Sequence, residues 1–205
     1  MQFKKKRWHC LSGQPITELD KQVMYWENKG RLVPTRDLIK TPEQIEGIRA
    51  AGVINTAVLD AVAAEIHAGM NTLEIDKICY DVCTSHGAIP ACLNYEGFPK
   101  SVCTSINEVV CHGIPKEEDV LEEGDIINVD FTTIYNGYYA DASRMFIIGK
   151  TTPEKERWCV WLRNAWILAP RLPSHSALLA TSVMPSRSMP RNITMALCAT
   201  SADMA

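Results

Sequence analysis

No two of the eight cysteines, Cys10, Cys79, Cys83, Cys92, Cys103, Cys111, Cys159 and Cys198, stand in a CxxC pair. Their scatter argues against a disulfide framework and for free thiols in a reducing cytoplasm. His9 and Cys10 have no second pair to complete a zinc site. Cys79 and Cys83, one helical turn apart, read as packing residues. No apolar stretch is long enough to span a membrane, and the opening MQFKKKRWHC lacks an apolar signal core. Neither membrane insertion nor secretion is therefore expected. Basic charge is not in excess: 21 Lys and Arg face 24 Asp and Glu, for a formal net charge of -3. That removes the global electrostatic case for binding DNA or RNA. The one basic run, Lys4-Lys5-Lys6-Arg7, reads as a solvated tail. No repeat recurs at a fixed period.

What is present is ordinary for a globular protein of one or two cores. Residues 1–40 are polar and irregular and read as an extension. A helix then starts clearly, with Thr41 as cap, Pro42 at the first helical position and Gln44 closing a capping box. Ile45, Ile48, Gly52, Asn55, Leu59, Val62 and Ile66 keep helical spacing, and Gly69 ends the run. Asn71 and Thr72 start a second helix carrying Ile75, Ile78 and Val82, ending near Gly87. Three strands are expected next, over 101–106, 126–133 and 138–148, divided by Gly113, Pro115, Gly124-Asp125 and Asn136-Gly137. Two helices followed by antiparallel strands predict an α+β fold. From Trp158 onward helical periodicity is poor. Past Pro170 the chain is small residues, prolines and methionines, and no capped amphipathic element is expected there.

The stretch IINVDFTTIYNGYYADASRMF, 126–146, carries the chemistry. Asn136-Gly137 is a strong signal for a two-residue hairpin turn. With those residues as the turn, paired positions sum to 273, so Thr132 faces Asp141 and Asp130 faces Ser143. Opposed residues share a sheet face, as do residues two apart along a strand. Asp130, Thr132, Asp141 and Ser143 therefore lie on one face, with the two aspartates diagonal neighbours. Two close carboxylates repel, unless one is protonated or a divalent cation lies between them. Simple solvation on an exposed face is the third option, and the apolar neighbours Ile126, Val129, Phe131, Ala140, Ala142 and Met145 argue against full exposure.

The string VDFTTIYNGYYADASRMF resembles the hairpin that supplies two aspartate metal ligands in type I methionine aminopeptidases, of peptidase family M24. Upstream, ACLNYEGFPKSVCTSINEVVCHGIP is similar to that family's substrate pocket followed by its histidine motif. Order and spacing are kept, and the likeness runs from Thr41 to Arg157. The resemblance implies the amino-terminal half of a pita-bread fold, an antiparallel sheet with two helices. It implies metal-dependent removal of the first methionine from nascent polypeptides in the cytoplasm, by a monomer, with the ribosome as a second candidate partner. Two divalent ions (Co, Mn, Fe, Zn or Ni) are the implied cofactors. Asp130 would hold one and Asp141 would bridge both, with Thr132 orienting a ligand. His112 would be catalytic and contact the substrate. Cys92, Tyr95, Phe98 and Cys103 would line the slot for the methionine side chain, where soft sulfur and aromatic edges suit a thioether.

The implied dinuclear site takes five protein ligands, and three of them lie in the family's second half. They are the histidine of a Gly-His-Gly motif and two glutamates. After Arg157 this sequence has one histidine, His175, and after Glu156 no glutamate. Two aspartates alone are expected to bind metal weakly. Read one base out of frame, residues 158–168 permit LVRVAKECLDL, 184–190 permit AIQKHAE, and 191–205 permit EYHYGVVRDLCGHG, which resemble the missing continuation. Met195 into Ala196 forces glycine, and Trp158 into Cys159 forces valine, whatever the codons. A single-base frameshift near codon 157 is therefore expected, with residues 158–205 a non-homologous, poorly ordered tail. The sheet of such a half-domain is expected to lack cover for its apolar surface. A non-catalytic pita-bread binding module and an Xaa-Pro peptidase relative are the alternative readings.

Overall fold

The computed structural model describes residues 18–31, 33 and 40–168. His9, Cys10 and the 4–7 basic run lie outside the described residues, as does the sequence from 169 on. The chain divides into two compact units, Met1–Glu46 and Gly47–Ala205.

In the first unit, residues expected to be irregular include a helix, α1, Glu18–Asn28. Glu18 and Asp20 in its first turn complement the helix dipole. No glycine or proline interrupts it before Gly30, whose φ of +72° follows its end. Its residues are polar on average, and that overall polarity, despite an amphipathic pattern, made it read as an extension.

The second helix, α2, is Pro42–Glu65. It starts as its sequence predicts: Gln44 Oε1 accepts from the Thr41 N–H at 2.8 Å, and Thr41 Oγ1 accepts from the Gln44 N–H at 3.3 Å. By length and composition α2 is apolar enough to cross a membrane, contrary to the expectation from sequence. Ile54, Val58, Leu59 and Val62 spend that hydrophobicity on the core instead. The third helix, α3, Thr72–Ser85, has a complete capping box between Asn71 and Glu74 and adds Ile75, Cys79 and Cys83 to the same core.

Four strands follow: β1, Ile89–Pro90; β2, Cys103–Ile106; β3, Ile126–Tyr135; and β4, Tyr138–Ile147. All pairings are antiparallel. The central strand β3 carries β1 and β2 end to end along one edge and β4 along the other. Ile127, Val129, Phe131 and Thr133 alternate toward the helices and are buried. The even-numbered residues of β3 point to the opposite face, so the helix layer leaves that face to the polar residues.

Asn55 ties helix to sheet. Its side-chain amide, 2 % exposed, donates to the Phe131 carbonyl at 2.6 Å, the Ala140 carbonyl at 3.1 Å and Thr133 Oγ1 at 3.2 Å. One buried donor thus holds both strands of the hairpin against α2.

The fourth helix, α4, is Pro153–Leu168, so residues 158–168 are helical where no element was expected. Thr152 Oγ1 accepts from the Lys155 N–H at 3.3 Å, Pro153 takes the first position, and Glu154 and Glu156 lie in the first turn. Once started, the helix meets no glycine or proline before Pro170. Lys155 anchors it, donating to Asn107 Oδ1 and to the Gly124 carbonyl, each at 2.9 Å.

Replacing Asn55 by alanine should lower stability by about 2–3 kcal/mol, because buried acceptors lose their donor. Urea unfolding of the two proteins measures the difference; a change below about 0.5 kcal/mol would mean that the amide does not anchor the hairpin.

Candidate metal centre

The β3–β4 hairpin has the register read from the sequence. Tyr135 pairs with Tyr138, Thr132 with Asp141 and Asp130 with Ser143. Asn136 and Gly137 form the turn with φ of +50° and +81°, the left-handed values that a type I′ turn requires at both positions. Asp130 and Asp141 therefore share the sheet face opposite the helices. Thr132 Oγ1 donates to Asp141 Oδ1 at 2.9 Å, which fixes that carboxylate's orientation.

The two aspartates sit in different surroundings. Asp141 is exposed, whereas Asp130 is partly buried. Burial, and then the neighbouring charge of Asp141, push the Asp130 carboxyl up to about 6. The protonated Asp130 is within reach to donate to Asp141, while the charge of His112 works in the opposite direction.

His112 reaches this neighbourhood through the 107–113 loop. The loop folds back on β2: the Thr104 N–H donates to the Gly113 carbonyl at 2.8 Å, and the Gly113 N–H donates to Ser105 Oγ at 3.3 Å. The approach is so close that a Cβ on Gly113 would lie 1.9 Å from the Thr104 carbonyl oxygen. Beside it, His112 adopts φ +55°, a left-handed conformation uncommon outside glycine. Backbone strain of this kind is maintained where surrounding contacts over-determine it. Sequence spacing alone did not indicate this closure.

Cys103 is the Cα partner of Asp130, and Ala91, the neighbour of Cys92, donates its N–H to the Thr132 carbonyl at 2.8 Å. Both cysteines are free. The two thiols perturb each other: the neighbouring Cys103 holds the Cys92 thiol below its ordinary value, and Cys92 together with burial raises that of Cys103. Thr132 also hydrogen-bonds to Cys92. The structure therefore brings together Asp130, Asp141, Thr132, His112, Cys92 and Cys103. Phe98 is half-buried, at the end of a short turn whose Phe98 N–H donates to the Tyr95 carbonyl at 2.8 Å. Tyr95, 67 % exposed on that turn, is not enclosed in a slot. Sequence reasoning did not select Cys111, a half-buried free thiol; its place beside His112 in the string was the available signal.

Two carboxylates converging on one partly buried point are a donor set that suits a hard divalent cation, which relieves both their repulsion and the cost of burying Asp130. Among the described residues, no group of three or more His, Cys, Asp or Glu converges closely enough to hold a metal ion alone. The residues present thus fit part of a metal site.

Over 135 residues the chain is 47% identical to the methionine aminopeptidase of Escherichia coli strain K12, a match covering 65% of this chain and 51% of that protein. The crystal structure of methionine aminopeptidase from Rickettsia prowazekii superposes with a TM-score of 0.62 at 41% identity, covering 64% of this chain and 52% of that one. That from Thermotoga maritima gives 0.64 at 31% identity, covering 65% and 54%. The architecture is the α+β pita-bread fold of these neighbours, and the chain spans about half the length of the curated relatives it matches. The model of metallopeptidase family M24 matches residues 46–169, crossing Arg157 along α4. This match takes in more than half of the 205 residues, and the chain belongs to metallopeptidase family M24.

Proposed function

We propose that this chain carries the amino-terminal part of a methionine aminopeptidase site, which removes the first methionine from nascent polypeptides in the cytoplasm. The observation that supports this most directly is that Asp130 and Asp141 are diagonal neighbours on one face of β3 and β4, with the charge of His112 acting on Asp130. The relatives named methionine aminopeptidase favour this substrate over Xaa-Pro peptides.

In this reading Asp130 and Asp141 hold divalent ions (Co, Mn, Fe, Zn or Ni). When bound, such ions supply Lewis acidity and make water a better nucleophile at neutral pH. Thr132 keeps the Asp141 carboxylate oriented through its 2.9 Å hydrogen bond. His112, at the rim, donates to the substrate carbonyl oxygen as negative charge develops there. Cys92, Cys103, Phe98 and Tyr95 receive the methionine thioether, with sulfur against sulfur and aromatic edge. Free amino termini of new chains are the substrate class, and the ribosome is the second partner.

The full ligand set is not among these residues, so the chain by itself should show no measurable hydrolysis of Met-Ala-Ser or Xaa-Pro peptides with added cobalt or manganese. Turnover that is abolished by chelator and restored by metal would refute this. We further propose a one-base shift of reading frame near codon 157 of the source gene. DNA sequencing across that codon should reveal the insertion or deletion; an uninterrupted frame, with the tail confirmed by mass spectrometry, would rule it out.

Asp130 also gives the site a pH signature. Its folded value, about 6, lies above the 3.8 ordinary for an aspartate. Between those two values the folded state binds more protons than the unfolded one, so stability falls as pH rises through that window. In chelator, unfolding free energy should therefore drop by on the order of 2 kcal/mol from pH 4 to pH 7. Asp130→Asn should remove the drop and be the more stable protein at pH 7, yet gain nothing from added manganese. A wild type equally stable at both pH values, or a variant that manganese still stabilises, would contradict the assignment.

A further inference from the structure

We propose that Cys92 and Cys103 form a peroxide-sensitive thiol pair that closes to an intramolecular disulfide. The pair is brought together by the sheet. Pro90 is the Cα partner of Thr133, and the Ala91 N–H continues that contact to the Thr132 carbonyl, which delivers Cys92 to the edge of β3. Cys103 arrives on the same edge, opposite Asp130. The two cysteines thus reach the same edge of β3 at neighbouring positions, and a disulfide between them requires their Cα atoms to come within about 4.4–6.8 Å.

Their exposures differ in a useful way. Cys92 is partly accessible, whereas Cys103 is 7% exposed. An oxidant meets Cys92 first, and Cys103 stands behind it as the resolving thiol. The intervening segment, 93–102, contains left-handed residues at Asn94 (φ +65°) and Glu96 (φ +48°) and an exposed turn at Tyr95–Gly97. That turn lies outside the strand pairings and can adjust when the sulfurs join. Cys79 and Cys83 are fully buried inside α3, and Cys159 is 8% exposed, so the oxidant reaches them poorly.

The chemistry balances with a hydroperoxide as oxidant. The Cys92 sulfur attacks the peroxide, the O–O bond breaks, and a sulfenic acid forms with release of an alcohol, or of water from hydrogen peroxide. The Cys103 sulfur then attacks the Cys92 sulfur; the S–S bond forms, the S–O bond breaks, and water leaves. Two thiols lose two hydrogens, and one peroxide is reduced. The disulfide would lock the 93–102 segment beside Asp130 and take both soft sulfurs out of the pocket.

The test uses the full chain and hydrogen peroxide, followed by alkylation, proteolysis and mass spectrometry. The expected product is a Cys92–Cys103 linked peptide pair, two hydrogens lighter than the free thiols and split by dithiothreitol. Cys79 and Cys83 should remain free, and the preference should vanish in urea. Cys111→Ser should leave the link intact, and Cys103→Ser should leave a Cys92 sulfenic acid that dimedone traps. A dominant Cys103–Cys111 link, both thiols still free, or the same pairing in urea would overturn the proposal. The readout is sulfur chemistry alone and does not depend on peptidase activity.

Discussion

A two-residue turn at Asn136 and Gly137 sets the register of β3 against β4, and the polar groups of the site take their places from that register. Because side chains alternate with period two, a slip of one residue in one strand would send that strand's site residues to the helix face. Asp141 and Thr132 would then no longer oppose each other, and the charges of the two aspartates would no longer converge. Both turn residues have positive φ, so the turn type is specified locally, before any long-range contact forms.

The helix layer complements this arrangement. Asn55 reaches from α2 to the Phe131 and Ala140 carbonyls and so grips both strands of the hairpin at once. Arg144, on the same face, donates to the Leu59 carbonyl and to Asp60. Apolar burial is concentrated on that side, leaving the other side of the sheet to Asp130, Thr132 and Asp141. That placement carries a stability cost: Asp130 is held partly buried beside Asp141, and its carboxyl rises to about 6. A structure selected only for stability would place an amide or an apolar residue there.

Much of this was legible in residue order. The capping boxes at Thr41–Gln44 and Asn71–Glu74 are local motifs, and both form. The hairpin register followed from Asn-Gly and strand alternation. Other elements escaped because they are short, polar or weakly patterned. The helix α1 is short and polar, and α4 continues past Arg157 because nothing in 158–168 breaks it. The two-residue strand β1 is too short to show alternation, and it exists because β3 offers it a partner.

Sequence by itself determined which residues could meet across the hairpin, since a tight turn and a two-residue period are local rules. It also determined the type and start of the two core helices. Only the tertiary structure decided that His112 would come within range of Asp130, because that depends on Gly113 lying against the Thr104 backbone, nine residues away. The same holds for the meeting of Cys92 with Cys103 and for the burial that shifts Asp130. Each depends on desolvation or on contact between separate segments, and neither quantity exists until the strands and loops have packed.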